Sequence, residues 1–415
     1  MSETQIEMGV TQPDRTKAGS DDEPTFPRYD GPAFLSYGFR PFFLSASLFA
    51  GVAIPVWVLI FAGMSSSAFQ YPAREWHVHE MLFGFLPAVM TGFLLTAIPN
   101  WTGRPPLRGV PLLSLLVLWL AGRLLLAIPW SLPIEAAIVD GAFLVAVVSF
   151  VWRQIVTGGS WGQAPIGVMI TLYAGANIFF HVLALRGTAT DLSERLALAL
   201  ILLLLTLIGG RVTPNFTREF LIQHNGPAIS ASLSPVDAVA MGSVVVAAVA
   251  WIVQPESIAA GGTLVAAGVA NLIRLSRWCG WLVWREPLVL ILHLGYGWLV
   301  LALLALGGAM LGIGLPAANA VHVLTTGAVG AMTLAIMTRA SLGHTGRPKH
   351  ADSKTVLIYV LVNLGAVLRV AVPTPDVPTA LTHLMLGLAA VSWSGAYVLF
   401  ALIYGPFLLG PSLDE

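Results

Sequence analysis

Residues 76–105 read WHVHEMLFGFLPAVMTGFLLTAIPNWTGRP, and this stretch decides the fold class. Between the histidines at its start and the turn residues at its end, positions 80–99 are almost entirely apolar, with Glu80 as the charged exception. A bilayer core of about 30 Å takes roughly 20 apolar residues of helix. The run is continuous and does not alternate in polarity, so it does not fit a strand of a membrane barrel. It predicts a transmembrane helix.

Further runs of the same kind occupy most of the chain. The sequence has 415 residues, of which 56% are hydrophobic and 10% charged, and its mean hydropathy is +0.80. A soluble domain has only roughly 45–50% apolar residues. We therefore predict an all-α polytopic membrane protein with about twelve transmembrane helices. The predicted spans lie near 42–63, 80–99, 110–129, 133–152, 165–185, 195–210, 236–254, 258–276, 287–312, 317–338, 354–372 and 380–408.

The distribution of basic residues predicts how the helices cross the membrane, because Lys and Arg concentrate in cytoplasmic loops. With the N-terminus inside, most of the 21 Lys and Arg residues fall in inner segments, so both termini are predicted to be cytoplasmic. Residues 1–30 are polar and are predicted to be a disordered cytoplasmic segment. Residues 31–415 form the predicted twelve-helix domain. The net charge of zero gives no indication of nucleic-acid binding.

The loops after the second, sixth and tenth predicted spans resemble one another. They begin near Pro99, Arg211 and Thr338, all three contain proline, threonine and arginine, and each also contains glycine or asparagine. A recurrence after every fourth helix would give three four-helix arcs, which is the general plan of the haem–copper oxidase core. The alternative is that these residue types simply favour turns between helices. Both interpretations stay open at this stage.

Histidine is retained in segments where other polar residues are rare. A buried imidazole is costly in hydrocarbon unless it faces the protein interior and binds something. Neutral imidazole ligates copper and zinc and is an axial ligand of haem iron, so we predict metal binding in the outer half of the bundle. For any one histidine the alternative is a hydrogen bond between helices. The predicted metal ligands are His77, His79, His181, His322, His383 and Met81.

Spacing limits what the first two histidines can do. In a regular helix His77 and His79 point about 200° apart, so they do not both address one metal unless the helix begins after His77. His77 and Met81 share a helix face, and an imidazole beside a thioether suits copper(I), with ordinary packing as the alternative. The single cysteine, Cys279, excludes an intramolecular disulfide and a cysteine-ligated iron–sulfur cluster.

Haem is the second predicted cofactor. Arg123 and Arg369 lie toward the outer side, where haem propionates would be suitable partners for a guanidinium. The alternative is that these side chains reach the lipid headgroups. His293 lies toward the inner side and is predicted either to ligate a deeper haem or to lie on a proton route. The predicted cofactor-binding residues are His77, His79, His293, His322, Arg123 and Arg369.

Further polar residues interrupt the apolar segments. Asp140, midway along the fourth span, is expected to be protonated, paired with an arginine or part of a proton route. Glu80 could orient the imidazole beside it. Tyr173, Asn177 and His181 form a polar stripe on the fifth helix, which faces the bundle interior either to support a ligand or to contact another helix.

Several motifs together resemble the NnrS family, from about residue 30 to the C-terminus. Similarity to this family implies a bacterial inner-membrane protein that contains haem and copper and is linked to denitrification and to defence against nitric oxide and nitrosative stress. The visible departure is Val78, where small residues are usual. The motifs are FRPFF (39–43), WHVHEM (76–81), PNWTGRP (99–105), GRVTPNFTR (210–218), REP (285–287), LHLGY (292–296) and MTRASLGHTGRP (337–348).

Three functions are compatible with this sequence. The preferred one is a haem- and copper-binding protein in the lipid bilayer that protects against nitric oxide by binding the gas at reduced metal centres. The second is a membrane nitric-oxide reductase, or another redox enzyme related to haem–copper oxidases, which would need a respiratory electron donor. The third is a transporter for a metal or for haem. Catalytic turnover is therefore left open, and no nucleic-acid partner is expected.

Overall fold

The computed structural model describes residues 29–65, 69–129, 132–229, 234–372 and 379–413. Within this part of the chain twelve helices are long and apolar enough to span a membrane, and there are no strands. The predicted all-α class and number of spans are confirmed. The predicted disordered segment 1–30 lies outside the described residues, except for Tyr29 and Asp30. The helices are α1 (Phe39–Phe61), α2 (Ala73–Thr102), α3 (Val110–Ala127), α4 (Pro133–Thr157), α5 (Ala164–Leu185), α6 (Asp191–Gln223), α7 (Pro235–Val253), α8 (Ile258–Ser276), α9 (Pro287–Met310), α10 (Ala317–Gly343), α11 (Ser353–Val370) and α12 (Thr379–Leu409).

Local sequence sets many of the helix boundaries. Ser234, Ser257 and Asp352 cap α7, α8 and α11, and each side chain accepts a hydrogen bond from a backbone N–H of the first turn. Proline stands in the first turn of α3, α4, α5, α7 and α9, where its missing N–H has no cost. The C-terminal end of α2 is set by Gly103, whose φ of 64° is a left-handed conformation that glycine adopts without strain.

Four helices form the interior of the bundle. The buried share of the apolar span is 78% in α2, 72% in α10 and 61% in both α6 and α9. In the other eight it lies between 28% and 44%. These helices turn apolar side chains outward, among them Val52, Val246 and Leu402, which is the surface that lipid requires. Polar groups on α2 and α10 are thereby kept away from the lipid.

The predicted repeat is supported by contacts at the end of the bundle where α2, α6 and α10 finish. The guanidinium of Arg211 in α6 lies 5.5 Å from the ring centroid of Trp101 in α2. In the same way, Arg339 of α10 lies 3.6 Å from the ring centroid of Phe216 in α6. Arg211 precedes Phe216 by the same number of residues as Arg339 precedes His344. Positions that correspond between the similar loops therefore make the same cation–π contact at two of the joints between the predicted arcs, whose existence stays a prediction.

The first and last helices are joined through a buried arginine. Arg40, near the start of α1, is 1% exposed. Its guanidinium donates hydrogen bonds to the carbonyl oxygens of Phe407 and Leu408, each at 3.2 Å, and also to that of Gly410. These carbonyls end α12 and have no partner within that helix, so the cation satisfies them and faces the negative end of the helix dipole.

Replacing Arg40 with alanine is expected to lower the free energy of unfolding by about 1–3 kcal/mol, because buried carbonyls would lose their donor. Arg285 is exposed and serves as the matched control, for which a change within about 0.5 kcal/mol is expected. Denaturant unfolding of both variants in the same detergent measures the difference. Equal stability of the two variants would contradict a structural role for Arg40.

Candidate functional site

The N-terminal parts of α2 and α10 share an irregularity. A π-helical segment spans Glu80–Phe85 in α2, and another spans Val323–Val329 in α10. Each begins directly after a histidine, His79 in α2 and His322 in α10. A π-helical turn takes up an additional residue and therefore changes the direction of the side chains that follow, and such turns are frequent at functional sites.

His77 and His79 lie on opposite sides of α2, as their spacing in a regular helix requires. The ring of His77 stacks on Trp57 of α1, with 4.5 Å between centroids and an interplanar angle of 6°. His79 is fully buried, and its ring centroid lies 4.8 Å from that of His181 in α5. A single stretch of α2 therefore supplies one imidazole to each of two separate groups of side chains.

The first group is the buried polar cluster, in which each side chain is at most 5% exposed. Nε2 of His181 lies 2.9 Å from Oδ2 of Asp140, and Nε2 of His79 lies 3.4 Å from the same oxygen. One ligand atom from each of these three residues lies within 4.8 Å of the others. Atoms that bind one metal at about 2.0–2.2 Å stand roughly 3–4 Å apart, so the three residues form a candidate site for a single ion that would have to draw the widest pair closer together. The members of the cluster are Tyr71, His79, Glu80, Arg123, Asp140, Asn177 and His181.

The second ring nitrogen of each histidine also has a partner. Nδ1 of His79 lies 3.2 Å from Oε1 of Glu80, and Nδ1 of His181 lies 2.7 Å from the hydroxyl of Tyr71. Burial raises the pKa of Tyr71, and the charge of Glu80 adds to this effect, so the hydroxyl stays protonated. Metal-ligating histidines typically have such a partner on the nitrogen that does not bind the metal. Both Nε2 atoms are thereby directed toward the carboxylate of Asp140.

One cation faces two carboxylates within the cluster. Arg123 donates a hydrogen bond to Oε2 of Glu80 at 2.9 Å and also contacts the carboxylate of Asp140. Both ring nitrogens of His79 face oxygen atoms, because its Nε2 lies 3.1 Å from Oδ1 of Asn177. With both carboxylates ionised and both imidazoles neutral, one negative charge would be left over, and an uncompensated buried charge is costly. A proton or a monovalent cation at the imidazoles would balance the cluster.

The second group lines a cavity of about 160 Å³ on the other side of α2, which we call the histidine cavity. A cavity of roughly 10–15 Å³ already holds one water molecule, so this one has room for a larger guest. Polar or sulfur-containing side chains of its lining are His77 and Met81 of α2, Glu194 of α6, Thr325, Thr326 and His322 of α10, and Arg369 of α11. Nδ1 of His322 lies 2.6 Å from the carbonyl oxygen of Ala318 and donates to it, which leaves Nε2 with its lone pair. Much of the remaining lining is apolar, including Trp57, Leu82, Leu198 and Trp393.

The structure thus divides the predicted site residues among three locations. His79, His181 and Arg123 belong to the buried polar cluster, where Arg123 pairs with carboxylates and does not line the histidine cavity. Lining the histidine cavity are His77, Met81, His322 and Arg369. The remaining two, His293 and His383, belong to neither group.

His293 and His383 have other surroundings. Nε2 of His293 lies 2.8 Å from the hydroxyl of Thr217, and its ring packs beside Trp278. His383 meets the ring of Phe61 edge-on, with 6.3 Å between centroids. Each histidine therefore has a packing or hydrogen-bonding role in the described part of the chain, and a role of either one in metal or haem binding stays a prediction.

Four members of the buried polar cluster were absent from the predicted ligand sets. Glu80 was expected to orient the imidazole beside it, and its Oε1 lies 3.2 Å from Nδ1 of His79. Asp140 was noticed as a lone acid in an apolar span, but the sequence does not show that it meets two histidines. Asn177 was part of the predicted stripe on α5, and it donates to Oδ2 of Asp140 at 2.8 Å. Tyr71 stands in the loop before α2, and nothing in the sequence marks it, because its role depends on where His181 lies.

Comparison with known proteins gives a single assignment. A search of curated proteins found no match. The model of the family described as NnrS protein matches residues 33–412, which includes all twelve helices from the start of α1 to the end of α12. The chain belongs to the NnrS family.

Proposed function

We propose that this protein binds haem and copper in the membrane and protects the cell against nitric oxide and nitrosative stress by binding the gas at the reduced metals. The observation that carries the proposal is the pair of histidine groups on either side of α2, one a compact polar cluster and the other an open cavity. Membership of the NnrS family fits a role in the nitric-oxide response. Ferrous haem and copper(I) both bind this gas.

Copper fits the buried polar cluster on three counts. Its donors are two imidazoles and a carboxylate, and imidazole is a preferred ligand of copper. Glu80 and Tyr71 hold the other ring nitrogens, so His79 and His181 keep their orientation when no metal is bound. With both carboxylates ionised and both imidazoles neutral, a monovalent ion would balance the charge of the cluster. The residues present therefore fit copper, although two imidazoles and a carboxylate also suit zinc or iron(II).

The histidine cavity offers donors that suit haem, but its volume of about 160 Å³ is close to the roughly 150 Å³ of a cavity that takes up benzene, so a porphyrin would fit only after the lining helices move apart. His77 and His322 come from different helices and line the same space, so these two imidazoles would hold the iron. Stacking on Trp57 fixes the plane of the His77 ring, and the hydrogen bond to Ala318 leaves Nε2 of His322 available. Arg369 supplies a cation for a propionate. Aromatic and aliphatic walls suit the apolar faces of a porphyrin.

The proposed location is the bacterial inner membrane, with both termini in the cytoplasm. The positive-inside pattern then puts both groups in the outer half of the bundle, because α2 and α10 begin on that side. Stacking on Trp57 orients His77, and the contact with Glu80 orients His79. Reduced metals need a supply of electrons, so a respiratory electron donor is part of the proposal.

A redox enzyme, such as a membrane nitric-oxide reductase, is the second candidate. The observation that favours it is the presence of two buried carboxylates, Glu80 and Asp140, beside the imidazoles of the cluster, because reduction of nitric oxide consumes protons as well as electrons. Turnover of the gas by purified protein with an electron donor would favour this candidate. Purified protein without stoichiometric haem and copper would favour the third candidate, a transporter.

The proposal is tested with a strain that lacks the gene. We expect it to grow worse than its parent under a nitric-oxide donor, and the wild-type gene should restore growth. A His79→Ala protein that is made and inserted in normal amounts should not restore it, and blocking respiratory electron supply should weaken protection by the wild type. Full rescue by His79→Ala would show that the metal of the buried polar cluster is not needed for protection and would refute that part of the proposal; full rescue by His322→Leu as well would refute it whole.

A further inference from the structure

A second, smaller cavity lies deeper along the helices that line the histidine cavity. It has a volume of about 70 Å³ and lies among α2, α5, α6 and α10, and we call it the apolar cavity. On α2, α6 and α10, the residues lining it follow those lining the histidine cavity by about one helical turn. In each of the following pairs the first residue lines the histidine cavity and the second lines the apolar cavity: Leu82 and Leu86, Leu198 and Ile201, and Thr325 and Val329.

The lining of this cavity offers almost nothing to a water molecule. It consists of aliphatic, aromatic and methionine side chains with one hydroxyl, that of Thr333. This hydroxyl already lies 2.7 Å from the carbonyl oxygen of Val329 and 2.7 Å from the hydroxyl of Tyr397. A buried water needs two to four polar partners, and apolar cavities that lack them stay dry. The cavity therefore suits an apolar guest.

The volume of the apolar cavity limits which apolar molecules it can hold. A volume of about 70 Å³ exceeds what one water needs, but it is roughly half of the 150 Å³ of an engineered cavity that takes up benzene or xenon. A porphyrin or an aromatic ring is too large for it, whereas a diatomic molecule or a single xenon atom is small enough. The lining includes no charged group and no metal ligand of the histidine or carboxylate type.

We propose that the apolar cavity is a binding site for a small apolar diatomic gas. On the function proposed above, on which this identity rests, the gas is nitric oxide. Such a gas dissolves better in hydrocarbon than in water, so the membrane supplies it to the bundle. Binding one helical turn from the histidine cavity raises the local concentration of the gas beside His77 and His322.

Xenon is the probe for this site, and the full chain in lipid nanodiscs is the sample. Isoleucine δ1-methyl groups are isotope-labelled, and their NMR shifts are followed as the xenon pressure rises. Ile170 and Ile201 line the cavity and should show a saturable shift. Ile138 is 64% exposed on the lipid side of α4 and should show only a linear drift from dissolved xenon. A linear response at Ile201 would overturn the proposal.

Filling the cavity provides the matched variants. Val329→Phe should abolish the saturable shift, and Val246→Phe, on the lipid-facing surface of α7, should retain it. Val89→Phe fills the same space from α2 if Val329→Phe does not fold. A saturable shift that persists in a folded, filled variant would overturn the proposal. Under anaerobic conditions nitric oxide should displace xenon, and failure to do so would refute the assignment to a diatomic gas.

These measurements require neither haem nor copper, so they separate the two proposals. If the protein binds xenon saturably but its deletion leaves nitric-oxide tolerance unchanged, the gas site is supported and the proposed function is refuted. If the protein protects normally but shows no saturable xenon binding, the proposed function is supported and the gas site is refuted.

Discussion

Replacing His181 with alanine is expected to remove copper from the purified protein and to abolish protection against nitric oxide. Without this imidazole, His79 and Asp140 are left as the potential ligands of the group, and two ligands hold an ion far more weakly than three. Metal analysis of purified protein should fall from one copper per chain to almost none. His383→Ala is the matched control, since it also removes a histidine predicted to bind metal but one outside the cluster, and it should retain copper.

A graded variant separates ligation from folding. Tyr71→Phe removes the hydroxyl 2.7 Å from Nδ1 of His181 and leaves all three ligand atoms in place. Loss of a partner of this kind typically lowers metal affinity about 10- to 100-fold, so copper should be lost to a chelator earlier than from the wild type. Full copper in His181→Ala, or an unchanged affinity in Tyr71→Phe, would mean that the buried polar cluster is a structural network and not a metal site.

Replacing His322 with leucine is expected to have the second large effect, on haem. Leucine keeps bulk and apolarity but removes a nitrogen donor from the histidine cavity. A haem with two imidazole ligands would lose one of them, so the Soret and α bands should shift from a low-spin to a high-spin pattern, with partial loss of haem. His77→Leu should give the same change from the other side of the cavity.

His293→Leu is the control for this prediction. His293 is also buried within a membrane helix, but it bonds to Thr217 and does not line the histidine cavity. We expect its replacement to leave the visible spectrum unchanged. A normal spectrum in His322→Leu together with an altered one in His293→Leu would show that the haem lies in the inner half of the bundle, near His293. The sequence alone left this location open.

Hydropathy was sufficient to predict the fold class, because each span is a continuous apolar run that needs no knowledge of its neighbours. The helix ends were less predictable. The sixth span was expected to stop at Gly210, but α6 continues to Gln223. Its polar continuation is stabilised by packing, since Arg211 meets Trp101 and Phe216 meets Arg339, and these partners lie on other helices.

The same limit applies to the candidate site, whose role in metal binding stays a prediction. The rarity of histidine in apolar segments was enough to single out His79 and His181, and helix periodicity was enough to place His77 and His79 on opposite faces. Periodicity describes one helix at a time, however, and the meeting of His79 with Asp140 depends on how α2 packs against α4. The polar stripe of Tyr173, Asn177 and His181 sets His181 apart from His383 in the sequence, but only the packing of the helices shows which side chains the stripe meets.

The arginine–aromatic contacts at the end of α2, α6 and α10 bear on how such a chain could have arisen. Contacts that join one unit to the next in the same direction are those of a head-to-tail ring, which closes when the units are identical. A four-helix ancestor with one arginine and one aromatic residue in this register could have formed that ring as a homotrimer before gene duplications joined the copies. At the third joint Thr96 stands where the arginine would be, and His344 stacks on Tyr37 instead. Fusion into one chain releases each copy from symmetry, so ligands could be kept in some arcs and lost from others.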